Sequence, residues 1–115
     1  MIYHYCARAD WETAVAAGRY TADSLETDGF IHCSPRDRLH ESATRMARGR
    51  TDLVVLEIDE SLLGDITVWE EGDPPHPDGL LFPHVYGPIP VGAVVTVQAL
   101  SPEPDGSFAP LVPPG

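Results

Sequence analysis

The stretch Gly29-Phe30-Ile31-His32-Cys33-Ser34-Pro35 sets the reading of the chain. Gly29 closes the acidic loop Glu26-Thr27-Asp28. Phe30, Ile31 and Cys33 read as a short buried strand with His32 among them. Ser34 suits a helix N-cap, Pro35 the first helical position and Asp37 the first turn. The prediction is a strand that runs straight into a helix. An ionisable ring would then stand near free N–H groups and the positive end of a helix dipole. One strand histidine alone is most simply a hydrogen-bonded core residue. Its meaning depends on what the rest of the chain brings to it.

Downstream, the helix is expected from Pro35 to about Arg48, with Gly49 after its end. Leu39, Ala43, Met46 and Ala47 form its buried side. Asp52-Leu53-Val54-Val55-Leu56-Glu57-Ile58-Asp59 is the clearest strand, and four consecutive apolar residues argue for a central, doubly covered position. Asp59 to Gly64 reads as a short helical turn and Ile66 to Glu70 as an alternating strand. Residues 71–79 form an exposed proline loop long enough to act as a lid. Leu80 to Pro90 is extended but irregular, with its prolines keeping it off the sheet interior. Ala93 to Leu100 is a strong strand. Phe108 is a packing residue, and about residues 111–115 form a frayed tail.

Upstream, Ile2 to Cys6 opens as a strand. Tyr3 and Tyr5 share one face; Ile2, His4 and Cys6 share the other. A helix follows, capped by Ala9 or Asp10, with Trp11 and Val15 on its apolar side and Gly18 at its end. Arg19 to Ala22 is briefly extended, and Ser24 to Gly29 is a polar loop. About six strands and two early helices that do not alternate regularly favour an α+β fold with a mixed or antiparallel sheet.

A chain of 115 residues suits one domain, here 1–115, and 43% hydrophobic content is that of a globular protein. A net charge of −11, from 18 acidic against 7 basic residues, argues against nucleic-acid backbones and anionic membrane surfaces. The basic residues between Arg36 and Arg50 read as a solvated helix face. No transmembrane run or signal peptide is seen, and Cys6 and Cys33 read as reduced, buried thiols, so a cytoplasmic setting is expected.

His4, His32 and His84 lie in three separate apolar, strand-like segments. His40, on a polar helix face, and His76, in the proline loop, are set apart from them. Three such rings suggest a shared pocket, although each could equally be a packed structural residue. Three imidazoles could ligate zinc, but they lie on separate elements, so their spacing is not diagnostic, and no metal is assigned. Acid/base and hydrogen-bonding roles suit histidine better. Ser24, Ser34, Tyr20 and Tyr86 place hydroxyls beside these segments, and Glu70 stands after Trp69 at a strand end, where a pocket rim could lie. No phosphate loop, HExxH or GxSxG occurs.

The segments Ile2-Tyr3-His4, Gly29-Phe30-Ile31-His32-Cys33-Ser34, Leu53 to Asp59, Trp69-Glu70 and Phe82-Pro83-His84-Val85-Tyr86-Gly87-Pro88-Ile89 resemble the DUF952 family of small bacterial proteins. The resemblance covers about residues 2–110 and implies a fold related to the ADP-ribosyltransferase superfamily, in which two small sheets hold NAD in a cleft. His4 matches the first-strand residue that contacts ribose. His32 falls in or beside the position that stacks on nicotinamide. The late segment offers His84 and Tyr86 but no glutamate, so Glu70 would have to come from another strand. RNA 2′-phosphotransferases of that superfamily use His and Arg sets instead, and the acidic charge here disfavours an RNA substrate.

The expected protein binds a small molecule or nucleotide, with NAD as the implied cofactor. His32, His84, Tyr86 and Glu70 are the candidate catalytic residues; His4, His32, Ser34 and Tyr86 are the candidate cofactor-binding residues. The alternatives are an enzyme acting on another small metabolite by histidine acid/base chemistry and a non-catalytic module with structural histidines. No nucleic acid or membrane partner is expected, and the chain is expected to be a monomer or small homo-oligomer.

Overall fold

A computed structural model describes residues 1–72 and 74–111. Its central element is β4 (Leu53–Ile58), flanked by β1 (Ile2–Ala7) and β8 (Val94–Leu100) in an antiparallel three-stranded sheet. Leu53 to Leu56 are all buried because each face of this sheet meets its own core. On one face Ile2, Cys6, Val54, Leu56 and Ile58 pack with Ala14, Tyr20, Ile31, Cys33, Val85 and Ile89. On the other, Tyr3, Leu53, Val55 and Leu100 pack with Leu39, Ala43, Ala47 and Phe108. Each fully buried aliphatic side chain contributes about 1.5–3 kcal/mol relative to exposure.

The first core lies between the central sheet and two smaller ones. The order β3 (Ile31–His32), β6 (Leu81–Val85), β5 (Thr67–Glu71) makes the second sheet, and β2 (Arg19–Tyr20) pairs with β7 (Ile89–Pro90) in the third. Every ladder is antiparallel. A backbone bridge joins the first two sheets: Tyr3 N–H donates to Ser34 O at 2.8 Å and Ser34 N–H to Tyr3 O at 2.7 Å. The fold class is therefore α+β with antiparallel sheets, as the sequence implied.

Several local expectations are corrected. The helix α1 (Arg8–Ala17) starts directly from β1, so Asp10 lies in its first turn and is not its cap. Gly18 ends it at φ 83°, a left-handed position that glycine adopts without Cβ strain, and donates to Ala14 O. Ala14 is its buried residue; Val15 is exposed. The polar loop after β2 contains a one-turn helix, α2 (Ser24–Thr27).

Ser34 is not a helix N-cap. Its backbone is engaged by Tyr3, and Pro35 to Arg38 form a turn in which Arg38 N–H donates to Pro35 O at 3.1 Å. The helix α3 begins later, at Leu39, and runs to Ala47. Leu39, Ala43 and Ala47 are buried as expected, but Met46 is 70% exposed. The expected short helical turn forms as a 3₁₀ turn at Glu60–Leu62.

Pro83 sits in β6, the central strand of its sheet, where proline was expected to be excluded. The geometry explains the tolerance. Pro83 O accepts from Cys33 N–H at 3.1 Å, so the proline nitrogen also faces β3. The missing N–H costs a return bond to Cys33, where the β3 ladder ends, and leaves the β5 ladder intact.

Phe108 packs as expected and its N–H donates to Thr44 Oγ1 at 2.9 Å. Of the expected frayed tail, residues 112–115 lie outside the described residues. Among the described residues no helix is long and apolar enough to cross a membrane.

Candidate functional site

The cleft lies on the outward face of the sheet β3–β6–β5. Strand alternation puts Ile31 and Cys33 in the core and turns His32 outward, so His32 is not the buried residue the apolar stretch suggested. The register then decides the site. His32 pairs directly with His84, and His84 with Val68. Residues two apart share a face, so Glu70 stands diagonally beside His84, near enough for long side chains to meet. Asp28, Phe30, His32, Glu70, Glu71 and His84 line a cleft of ≈ 490 Å³.

Two imidazole–carboxylate pairs occupy this face. His84 Nδ1 lies 2.7 Å from Glu70 Oε1, with the His84 side chain 5% exposed and that of Glu70 36%. The Tyr86 hydroxyl donates to the same Glu70 oxygen. These two bonds, from Tyr86 first and His84 second, hold the Glu70 carboxyl below its usual range, and the shared bond raises the Tyr86 phenol. An ionised carboxylate only accepts, so His84 Nδ1 carries the proton toward Glu70. In the neutral ring, Nε2 is then the basic atom.

The second pair is His32 Nε2 with Asp28 Oδ2 at 2.8 Å, and it is open to solvent. The rings form one cluster. Phe30 stacks on His84 at 4.0 Å between centroids and meets His32 edge-on at 4.7 Å; His32 and His84 are 5.6 Å apart.

His4 supports this site from behind. Its Nδ1 lies 2.6 Å from the His32 carbonyl oxygen and its Nε2 2.8 Å from the Tyr20 hydroxyl. A carbonyl can only accept, so Nδ1 carries the proton and Nε2 accepts from Tyr20. Burial lowers the imidazole from 6.5 to about 4, which keeps the ring neutral. His4 thus ties β1 to β3 and β2, and both its nitrogens are used inside the protein.

The structure brings together His32, His84, Tyr86 and Glu70. It places His4 behind them and Ser34 in the inter-sheet bridge, outside the residues that line the cleft. Within the expected proline loop, His76 approaches α3: its side chain is 19% exposed and 3.7 Å from Glu41 Oε2, with its ring centroid 6.2 Å from that of Phe82. Residue 73 is not described. Among the described residues no set of three or more His, Cys, Asp or Glu converges as metal ligands would.

Sequence reasoning missed Asp28, Phe30 and Glu71. Phe30 stands two residues before His32 and so shares its face. Asp28 stands four before it and reaches back across the turn at Gly29.

The chain is thus an antiparallel α+β protein that carries two histidine–carboxylate pairs in one cleft. This chain belongs to the family described as "Protein of unknown function (DUF952)", which matches residues 5–97. It is similar to protein CC0527 from Caulobacter crescentus. The crystal structure of that protein has 34% identity and a TM-score of 0.84, covering 94% of this chain and 92% of that one. The solution NMR structure of CC0527 has 34% identity and a TM-score of 0.77, covering 92% and 89%. No curated protein matches the chain.

Proposed function

We propose that the cleft binds a small molecule, with NAD or a related nucleotide as the candidate ligand, in an ADP-ribosyltransferase-like cleft within the cytoplasm. The observation that carries this reading is the convergence of Phe30, His32, Glu70 and His84 on one cleft, with Tyr86 hydrogen-bonded to Glu70. The late segment lacks a glutamate of its own; Glu70, on β5, is hydrogen-bonded to its His84 and Tyr86 and would supply the carboxylate. A carboxylate there would face positive charge developing on a ribose, while Phe30 and His32 supply ring surfaces for nicotinamide. His4 acts on this reading as a positioning residue for His32, and Ser34 holds the first two sheets in register.

Calorimetric titration of the full chain with NAD and with ADP-ribose tests the reading. Binding that weakens in His32→Ala and Glu70→Gln supports it. No heat up to about millimolar ligand, the weak end of the usual affinity range, would refute it.

One observation favours a second reading, histidine acid/base chemistry on another metabolite. His84 is buried, oriented by Glu70 through Nδ1, and so presents Nε2 as its proton-exchanging atom. A turnover whose pH–rate profile changes in Glu70→Gln, with no NAD bound, would select it.

A further inference from the structure

The charges and rings around the cleft narrow the ligand further. Its lining carries three carboxylates, Asp28, Glu70 and Glu71, and no guanidinium among the described residues. The chain contains no lysine. The remaining lining groups are rings: Phe30, His32 and His84. A phosphate seated here would meet three carboxylates and no guanidinium or ammonium group, and the two imidazoles beside it already have carboxylate partners. A cation would meet negative charge on both sides, since Asp28 lies beside β3 and Glu70 and Glu71 lie in β5. Phe30 adds a flat, electron-rich face, and His32 and His84 are each already paired with a carboxylate, Asp28 and Glu70.

We infer that the cleft takes a flat organic cation, such as a pyridinium, a guanidinium or a protonated heteroaromatic amine. The inference rests on the reading of the cleft as a small-molecule site but does not require NAD. Where the ligand is a nucleotide carrying such a ring, the ring enters the cleft and the phosphates stay outside it. The dimensions agree: ≈ 490 Å³ is ample for one aromatic ring and its substituents.

The test compares 1-methylnicotinamide, a cation, with nicotinamide, its neutral near-isostere. Each is titrated into the full chain and followed by backbone amide shifts. The cation is expected to bind at least about tenfold tighter. Its shifts should be confined to Phe30, His32, Glu70, Glu71 and His84. Its affinity should fall several-fold between about 0.02 and about 0.3 M salt, as an exposed electrostatic attraction does. Glu71→Gln, checked for an unchanged amide spectrum, should weaken the cation about twofold to fivefold and leave nicotinamide unaffected.

Equal or tighter binding of the neutral compound overturns the inference, as do cation shifts elsewhere on the surface or no cation binding at all. The two readings fail separately. Cation binding without NAD binding removes the nucleotide and keeps the cation. Equal binding of NAD and its reduced form at these residues keeps the nucleotide and removes the cation.

Discussion

The His4 linkage gives a stability prediction with a defined pH window. In the unfolded chain His4 has the ordinary value of 6.5; in the folded chain burial lowers it to about 4. The unfolded state therefore takes up the proton first as pH falls. The contribution of His4 is complete above the unfolded value, shrinks as pH drops below it, and levels off beneath the folded value. The slope inside that window is about 1.4 kcal/mol per pH unit, so a full proton costs the fold about 3 kcal/mol.

His4→Gln removes the titration while retaining an amide N–H for the His32 carbonyl. Urea unfolding of both proteins is measured from about pH 7 to about pH 4.5, and the difference in stability is plotted. The acidic residues titrate alike in both and cancel. Wild type should lose about 2.5 kcal/mol more than the variant across this range. Parallel curves would refute the assignment of His4 as a neutral, partly buried tie between strands.

Other outcomes follow from the packing and the cleft. Leu56, fully buried in the central strand, should cost about 2–5 kcal/mol on replacement by alanine, read by chemical denaturation. Burial pushes the Cys6 thiol up to about 11 and raises Cys33 as well, so both should resist a thiol reagent at neutral pH until denaturant is added. Prompt labelling of the native protein would contradict their placement. Glu70→Gln should bring the Tyr86 phenol back toward its ordinary value, followed by ultraviolet titration, because the shared hydrogen bond is what raises it. An unchanged phenol titration would show that Tyr86 does not depend on Glu70.

Local pattern carried much of this fold. The unbroken apolar run of β4 announced a strand covered on both sides. The alternation in β1 correctly separated Tyr3 and Tyr5 from Ile2, His4 and Cys6. Sequence reading failed where long-range pairing overrode local preference. Ser34 has the chemistry of an N-cap, but its backbone is taken by Tyr3, and the helix waits until Leu39. Pro83 looked incompatible with a central strand because which neighbour its nitrogen faces depends on register, which sequence does not display.

The same holds for the site. His32 and His84 were recognisable as candidates, but their direct pairing, and the diagonal approach of Glu70, are properties of the β3–β6–β5 register. Asp28 and Phe30 were within reach of sequence reasoning by their spacing from His32. Glu71 was not, since strand alternation alone would place it opposite Glu70.

On the reading proposed above, the cleft over β3, β6 and β5 holds the ligand. Amide-resolved titration of the full chain with NAD tests it most directly. Saturable shifts centred on Phe30, His32, Glu70 and His84 are expected, reduced in Glu70→Gln. Absence of shifts at about millimolar NAD, or shifts centred on α3 and the opposite face of the central sheet, would contradict it.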